Sequence, residues 1–95
     1  MNTAHKGRRA EHRAQRILET AGYVTVRAAG SKGCADLVAF GPQGYRLISV
    51  KSGTKYCSAV EREALGGMKG YLCHHGTIEI WRFPDRCREP LIEVL

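Results

Sequence analysis

The sequence predicts a mixed α/β fold in which a five-stranded sheet is flanked by two helices. An amphipathic helical pattern opens the chain, and three short runs rich in Val, Ile and Thr follow it, as expected for strands. A second helical pattern then precedes two further strand-like runs. The order α-β-β-β-α-β-β is typical of one sheet covered by helices. A chain of 95 residues is the length of one domain, so we expect a single domain over residues 1–95.

The first predicted helix covers residues 4–21. An apolar stripe recurs at helical spacing and consists of Ala10, Ala14, Ile17, Leu18 and Ala21. The side of the helical wheel opposite this stripe carries Arg9, Arg13 and Arg16. Gly22 follows at the position where a glycine commonly ends a helix. We therefore expect the stripe to pack on the sheet.

Three strands are predicted at residues 23–27, 35–40 and 45–51, and the turn sequence Gly41-Pro42-Gln43-Gly44 makes the last two antiparallel neighbours. If Phe40 faces Tyr45, the same register places Asp36 opposite Ser49. Because side chains alternate along a strand, Ser49 and Lys51 then point to the same side as Asp36. A register slip of one residue breaks this arrangement.

A second helix is predicted over residues 58–73, where Ser58 and Glu61 have the spacing of a capping box. Three glycines weaken this helix, at positions 66, 67 and 70. The last two strands are predicted at residues 77–83 and 91–95. Trp81 and Phe83 alternate with Ile80 and Arg82, which favours packing in a core or a dimer interface over stacking on nucleic-acid bases.

The charge balance favours a polyanionic partner. Fifteen Lys and Arg stand against nine Asp and Glu, giving a formal net charge of +6. No apolar run approaches the roughly 20 residues that a membrane-spanning helix needs. The first residues lack the apolar core of a secretory signal, and the four cysteines form no CxxC pair. We therefore expect no membrane partner, no zinc site built from the cysteines, reduced thiols and a cytoplasmic protein.

Three residues from separate segments suggest metal-dependent hydrolysis. Glu11 borders the apolar stripe of the first helix, so its carboxylate can lean towards the sheet and meet Asp36. Two carboxylates are ligands that Mg²⁺ or Mn²⁺ prefers. A cation activates water for attack on a phosphodiester, and Lys51 can orient that water or stabilise developing charge. The alternative is that Asp36 only begins a strand and Lys51 only ends one.

The first half of the chain resembles a known family. The segments that carry the resemblance are KGRRAE at 6–11, ILE at 17–19, GY at 22–23, RAAGSK at 27–32, ADLVA at 35–39 and VK at 50–51. They are similar to the archaeal-type Holliday junction resolvases of the PD-(D/E)xK nuclease superfamily. The resemblance implies a restriction-endonuclease-like fold, a homodimer, and Mg²⁺-dependent cleavage of four-way DNA junctions.

Residue by residue, the resemblance assigns Glu11 to the helix acid, Asp36 to the metal-binding aspartate and Lys51 to the catalytic lysine. It also assigns Ser31 to a loop serine important for activity, and Arg27 and Lys32 to positions near the bound strand. Further DNA contacts are expected from basic residues on the first helix and in the loops, namely Arg8, Arg9, Arg13, Arg16 and Lys55.

One position departs from the family pattern. The third motif has the form Glu-x-Lys, but this chain has Ser49-Val50-Lys51 and so lacks a carboxylate. Either Glu11 and Asp36 suffice with Ser49 as a further metal ligand, or Glu61 or Glu63 substitutes, or the protein binds DNA without cutting it. We favour the first of these. The function expected is junction resolution, with non-catalytic DNA binding, or cleavage of other branched or linear DNA, as alternatives.

A four-way junction has approximate two-fold symmetry, so two matched active sites in a homodimer suit it. We expect exposed apolar surface on the last two strands to form the dimer interface.

Overall fold

The computed structural model describes residues 3–27, 35–42, 44–53, 57–71 and 75–95, with the backbone alone for residues 3–7 and 71. The elements occur in the predicted order. They are α1 (Thr3–Thr20), β1 (Val24–Arg27), β2 (Leu37–Gly41), β3 (Gly44–Ser52), α2 (Ala59–Gly67), a 3₁₀ turn (Met68–Tyr71), β4 (Gly76–Phe83) and β5 (Leu91–Val94). The expected mixed α/β fold is confirmed.

The five strands form one sheet in the order β1-β2-β3-β4-β5. All neighbours are antiparallel except β3 and β4, which run parallel. Parallel neighbours need a crossover connection, and α2 with its 3₁₀ turn supplies it. Phe40 pairs with Tyr45, so the register predicted across the Gly41–Gly44 turn is confirmed. Among the helices of the described ranges, none is long and apolar enough to cross a membrane.

The main core lies between α1 and one face of the sheet. Its buried members are Ala10, Ala14, Leu18, Leu37, Ala39, Ile48, Trp81 and Phe83. The two aromatic residues thus pack in the core, as favoured, and are not available to stack on bases. Ala21 was wrongly placed in the apolar stripe: it follows the helix end at Thr20 and is exposed.

The end of α1 has the hydrogen bonds of a Schellman motif. The amide of Tyr23 donates to the carbonyl of Leu18 (3.0 Å), and that of Gly22 donates to Glu19 (3.0 Å). Gly22 has φ 95°, a left-handed conformation that glycine adopts without the steric cost of a Cβ atom. The predicted stop is confirmed, and it turns the chain directly into β1.

A smaller core lies between α2 and the opposite face of the sheet, around Leu65, Ile78 and Ile80. Its helix begins with the predicted capping box: Ser58 Oγ accepts from the Glu61 amide (3.1 Å), and the Ser58 amide donates to Glu61 Oε1 (3.4 Å). The helix ends at Gly67, not at Cys73 as predicted. Consecutive glycines raise the conformational entropy that an α-helix must fix, and the chain tightens to a 3₁₀ turn.

A charged pair is buried on the α1 side of the sheet. Glu79 is 2% exposed and accepts two hydrogen bonds from Arg46 (2.7 and 2.5 Å). Thr77 Oγ1 and Trp81 Nε1 also donate to Glu79, at 2.7 and 2.9 Å. The Arg46 guanidinium lies over the rings of Tyr23 and Trp81. Burial alone raises the pKa of Glu79, but these hydrogen bonds and the Arg46 charge bring that pKa below its ordinary value.

We predict that Glu79→Ala lowers the free energy of unfolding at neutral pH by about 3 kcal/mol, because it leaves a partly buried guanidinium and the indole N–H without their acceptor. Urea denaturation measures the change, with the exposed Glu89→Ala as the control. The Glu79 carboxylate stabilises the fold only while it is ionised. The deficit of the variant should therefore shrink as the pH falls through the ordinary glutamate range towards the lowered pKa. An unchanged deficit in acid contradicts this account.

Candidate active site

One end of the sheet collects the predicted active-site residues. Strand β2 begins there just after Asp36, and β3 brings Lys51 to the same end. Glu11 approaches from α1 and Glu61 from the first turn of α2. We call these four residues the Asp36 site. The charges of Glu11, Lys51 and Glu61 all act on the Asp36 carboxyl group, so the four side chains share one electrostatic environment.

Asp36 closes the hydrogen-bonding ladder between β2 and β3. The regular pairing ends at Leu37 and Ile48 and does not extend to the predicted partners Asp36 and Ser49. Instead, the amide of Asp36 donates to the carbonyl of Ile48 (2.8 Å). Its carboxylate Oδ2 accepts from the amide of Val50 (2.7 Å), replacing a main-chain carbonyl as the acceptor. The side chain is thereby fixed by backbone on the neighbouring strand.

The Asp36 carboxyl group is only partly exposed, and the carboxylates of Glu11 and Glu61 act on it. Its pKa is raised, first by burial and then by the negative charges of Glu11 and Glu61. The hydrogen bond from Val50 and the charge of Lys51 act in the opposite direction but do not outweigh them. Such a group favours the arrival of a positive charge, because a cation relieves the repulsion among the carboxylates.

Lys51 lies on the α2 side of β3. Ile48 and Val50 belong to the main core under α1, so the alternating residues Ser49 and Lys51 face the other way. The Lys51 ammonium donates a hydrogen bond to Glu61 Oε2. This bond is the leading reason why the pKa of Glu61 is lowered. Lys51 and Glu61 therefore form an ion pair beside Asp36.

Glu11 leans towards the sheet, as predicted, but its partner there is a base. Arg27, the last residue of β1, contacts Glu11 Oε1 through Nε (3.1 Å) and Nη2 (2.9 Å). Arg27 was predicted to contact DNA; in this structure its guanidinium instead balances the helix acid. Members of two ion pairs, Arg27–Glu11 and Lys51–Glu61, therefore act on Asp36.

The donor set suits a hard divalent cation, because its acidic members offer oxygen atoms alone. Within the described ranges, however, no three side chains among His, Cys, Asp and Glu are already close enough to hold one ion together. Ser49, the other predicted ligand, is 1% exposed. Two of the carboxylates are instead held by their basic partners, so binding an ion requires them to exchange partners.

The arginines of α1 are all exposed, and one of them also contacts the protein. Arg8, Arg9 and Arg16 are exposed. Arg13 is exposed too, and it contacts the connection between β4 and β5, where Nη1 donates to the carbonyl of Cys87 (3.1 Å) and the guanidinium lies over the Phe83 ring. Arg13 thus also anchors this connection on α1.

A pocket of about 250 Å³ opens where α1 meets the connection between β4 and β5. It is lined by Arg9, Ala10, Arg13, Ser52, Phe83, Pro84, Asp85 and Arg86. Arg86 was not predicted from the sequence, because a connection without periodicity gives no sign of which side chains face a pocket. Three predicted functional residues, Ser31, Lys32 and Lys55, lie outside the described residues, as do Cys34 and Cys73. The described cysteines, Cys57 and Cys87, are free thiols.

Comparisons with known proteins agree on one family. A model of the archaeal Holliday junction resolvase (Hjc) family matches residues 2–80. Among solved structures, the chain is similar to Hjc from Archaeoglobus fulgidus, a Holliday junction resolvase from an archaeal hyperthermophile, with 29% sequence identity and a TM-score of 0.68. The match covers 85% of this chain and 66% of that one, so this chain spans less than two thirds of that resolvase. A search of curated protein sequences finds no significant match.

We predict that Asp36→Asn stabilises the fold at neutral pH when a chelator is present. The amide oxygen still accepts from Val50, while the cost of burying a carboxylate among other carboxylates disappears. The gain should be absent in acid and grow as the pH rises from the ordinary aspartate range through the raised pKa of Asp36. Urea denaturation measures it, with the exposed Glu89→Gln as the charge-matched control. A less stable Asp36→Asn variant at neutral pH contradicts this reading of the site.

Proposed function

This chain belongs to the archaeal Holliday junction resolvase family, and from that membership we propose that it is an endonuclease that resolves four-way DNA junctions. The observation that carries the proposal is the Asp36 site. It joins a fixed aspartate, a lysine and two further carboxylates at one end of the sheet. Phosphodiester hydrolysis is the chemistry that this set of groups supports best.

Each residue has a proposed role. Glu11 and Asp36 hold a divalent cation, Mg²⁺ with Mn²⁺ as a substitute, and Ser49 is carried forward from the sequence as a further ligand. The ion, when bound, polarises a phosphoryl oxygen and acidifies a bound water. Lys51 orients the attacking water or stabilises charge that develops on the phosphate. Ser31 keeps the role in activity that the family resemblance gives it.

The basic surface around the site is proposed to bind the phosphate backbone. Arg8, Arg9 and Arg16 are exposed on α1, and Lys32 and Lys55 are assigned to the loops beside the site. Arg13 and Arg27 already have protein partners, so their contacts with DNA require partial release of Cys87 and Glu11. Release of counterions from DNA makes such binding steeply dependent on salt.

We predict that Asp36→Ala and Lys51→Ala each reduce cleavage of a labelled four-way junction about a hundredfold or more in Mg²⁺ or Mn²⁺. The wild type should give paired, symmetric nicks. Glu89→Ala, which removes an exposed carboxylate, should cleave normally. Single-turnover assays on denaturing gels give the rates, and a duplex of equal length serves as the competitor. Undiminished nicking by either variant contradicts the assignment of that residue to the active site.

A second candidate function follows from Ser49. Without the carboxylate of the Glu-x-Lys motif, the protein is a non-catalytic DNA-binding member of the family. The same assay separates the nuclease from the non-catalytic protein. The non-catalytic function is favoured if the wild type binds the junction in a salt-dependent way but makes no nicks in either metal. Equal competition by the duplex instead favours a nuclease for other DNA substrates.

We further propose a homodimer that uses β5. This strand forms one edge of the described sheet, and Leu91, Ile92 and Val94 are 56%, 48% and 60% exposed. Arg62 of α2 holds Glu93 through two hydrogen bonds of 2.6 Å, which keeps the strand in place. An apolar, firmly held edge suits pairing with a second copy.

We predict that the wild type has the mass of a dimer at micromolar concentration and that Val94→Glu dissociates it. Analytical ultracentrifugation measures the mass. Val60→Glu is the matched control, because Val60 is also apolar and 77% exposed but lies on α2. Phe40 is 50% exposed on the surface away from β5. If Phe40→Glu dissociates the dimer while Val94→Glu remains a dimer, the interface does not lie on β5 and the proposal is contradicted.

A further inference from the structure

The substitution at position 49 leaves a specific gap. In a Glu-x-Lys strand, the glutamate stands two residues before the lysine, and residues two apart point to the same face. The carboxylate and the ammonium are then neighbours. In this chain the neighbour of Lys51 on the strand is Ser49, which has no charge and is almost fully buried. The lysine nevertheless has a carboxylate beside it.

That carboxylate is Glu61, which comes from α2 instead of β3. Its side chain contacts the Lys51 ammonium through Oε2 and the Ser58 amide through Oε1. The capping box therefore fixes the glutamate at the start of the helix and aims it at the end of β3. Its negative charge also acts on Asp36. Glu61 thus occupies the neighbourhood that the missing strand acid leaves without a carboxylate.

We propose that Glu61 replaces the missing strand glutamate and becomes a ligand of the divalent cation in the Asp36 site. The inference rests on the proposed nuclease function and names a residue that completes its metal site. In the structure, the Lys51 ammonium holds the Glu61 carboxylate. As a metal ligand, this carboxylate would exchange the single charge of the lysine for the double charge of the cation.

The exposure of the two side chains permits this exchange. The Glu61 side chain is 42% exposed and that of Lys51 is 19% exposed, so water reaches their ion pair. A solvated ion pair contributes little net free energy, and the exchange therefore costs little. Released from Glu61, Lys51 is free to face the scissile phosphate.

Glu63 does not offer the same replacement. Two residues along a helix correspond to a turn of about 200°, so Glu63 points away from the direction that Glu61 takes. Glu63 is also exposed at the surface of α2. It therefore makes a matched control: the same residue type on the same helix, two positions away.

The test measures Mn²⁺ binding to the intact protein without DNA, by electron paramagnetic resonance and calorimetry. Glu61→Gln should weaken binding by about tenfold or more, because one anionic ligand is lost. Glu63→Gln should bind as the wild type does. Glutamine at this position can still complete a capping box, and thermal unfolding verifies that the helix and the fold remain.

A further variant separates a metal ligand from a residue that only positions Lys51. Lys51→Met frees Glu61 from its ion pair, so Mn²⁺ should bind at least as tightly as in the wild type. Adding Glu61→Gln to Lys51→Met should then cause the same loss as in the wild-type background. If the loss disappears in that background, Glu61 acts only through Lys51 and the inference is overturned.

Asp36→Asn distinguishes this inference from the function on which it rests. If Asp36→Asn loses Mn²⁺ binding and Glu61→Gln binds normally, only the role of Glu61 is overturned and the proposed metal site stands. Normal binding in Asp36→Asn, or no binding by the wild type, overturns the proposed metal site and this inference with it. Loss in both variants, with Glu63→Gln unaffected, supports both.

Discussion

The parallel pairing of β3 with β4 is the constraint on which the rest of the structure depends. Two parallel neighbours cannot be joined by a hairpin, so the chain must leave the end of β3 and return along one face of the sheet. Here the return path is α2, which begins at Ala59, a few residues after Lys51. The first turn of the helix therefore stands beside the end of the strand that carries the lysine. This topology places Glu61 in contact with Lys51, and both residues close enough to Asp36 for their charges to act on it.

Bases partly balance the acids at this end of the sheet. Arg27 holds Glu11, Lys51 holds Glu61, and Asp36, on which Glu11, Lys51 and Glu61 all act, has a raised pKa. A site with three unpaired carboxylates would destabilise the fold by repulsion, and a site with fully neutralised ones would bind a cation weakly. The two bases keep the acids close together at modest cost, since both ion pairs are partly solvated. In the proposed function, metal binding by the acids would leave the same two bases available to DNA phosphates.

Local signals in the sequence were sufficient for most of this arrangement. The Gly41–Gly44 turn predicted the register between β2 and β3, and the spacing of Ser58 and Glu61 predicted the start of α2. Two features depend on contacts between distant segments and have no local signal. One is the pairing of Arg46 with the buried Glu79, thirty-three residues later. The other is the end of the ladder at Asp36, where a side chain replaces a backbone acceptor and ends the regular register.

In the proposed metal site, one carboxylate comes from helix α2 instead of strand β3, so different contacts hold that carboxylate in place. A glutamate at position 49 would be held by the hydrogen bonds of β3 to two neighbouring strands, which open only with the sheet. Glu61 is held instead by the first turn of a nine-residue helix that ends in consecutive glycines. A helix this short is not stable by itself and depends on its cap and on the packing of Leu65 against the sheet. If Glu61 is the metal ligand that we propose, Ser58 affects metal affinity without touching the reacting groups, because the cap that it forms sets where the Glu61 carboxylate stands.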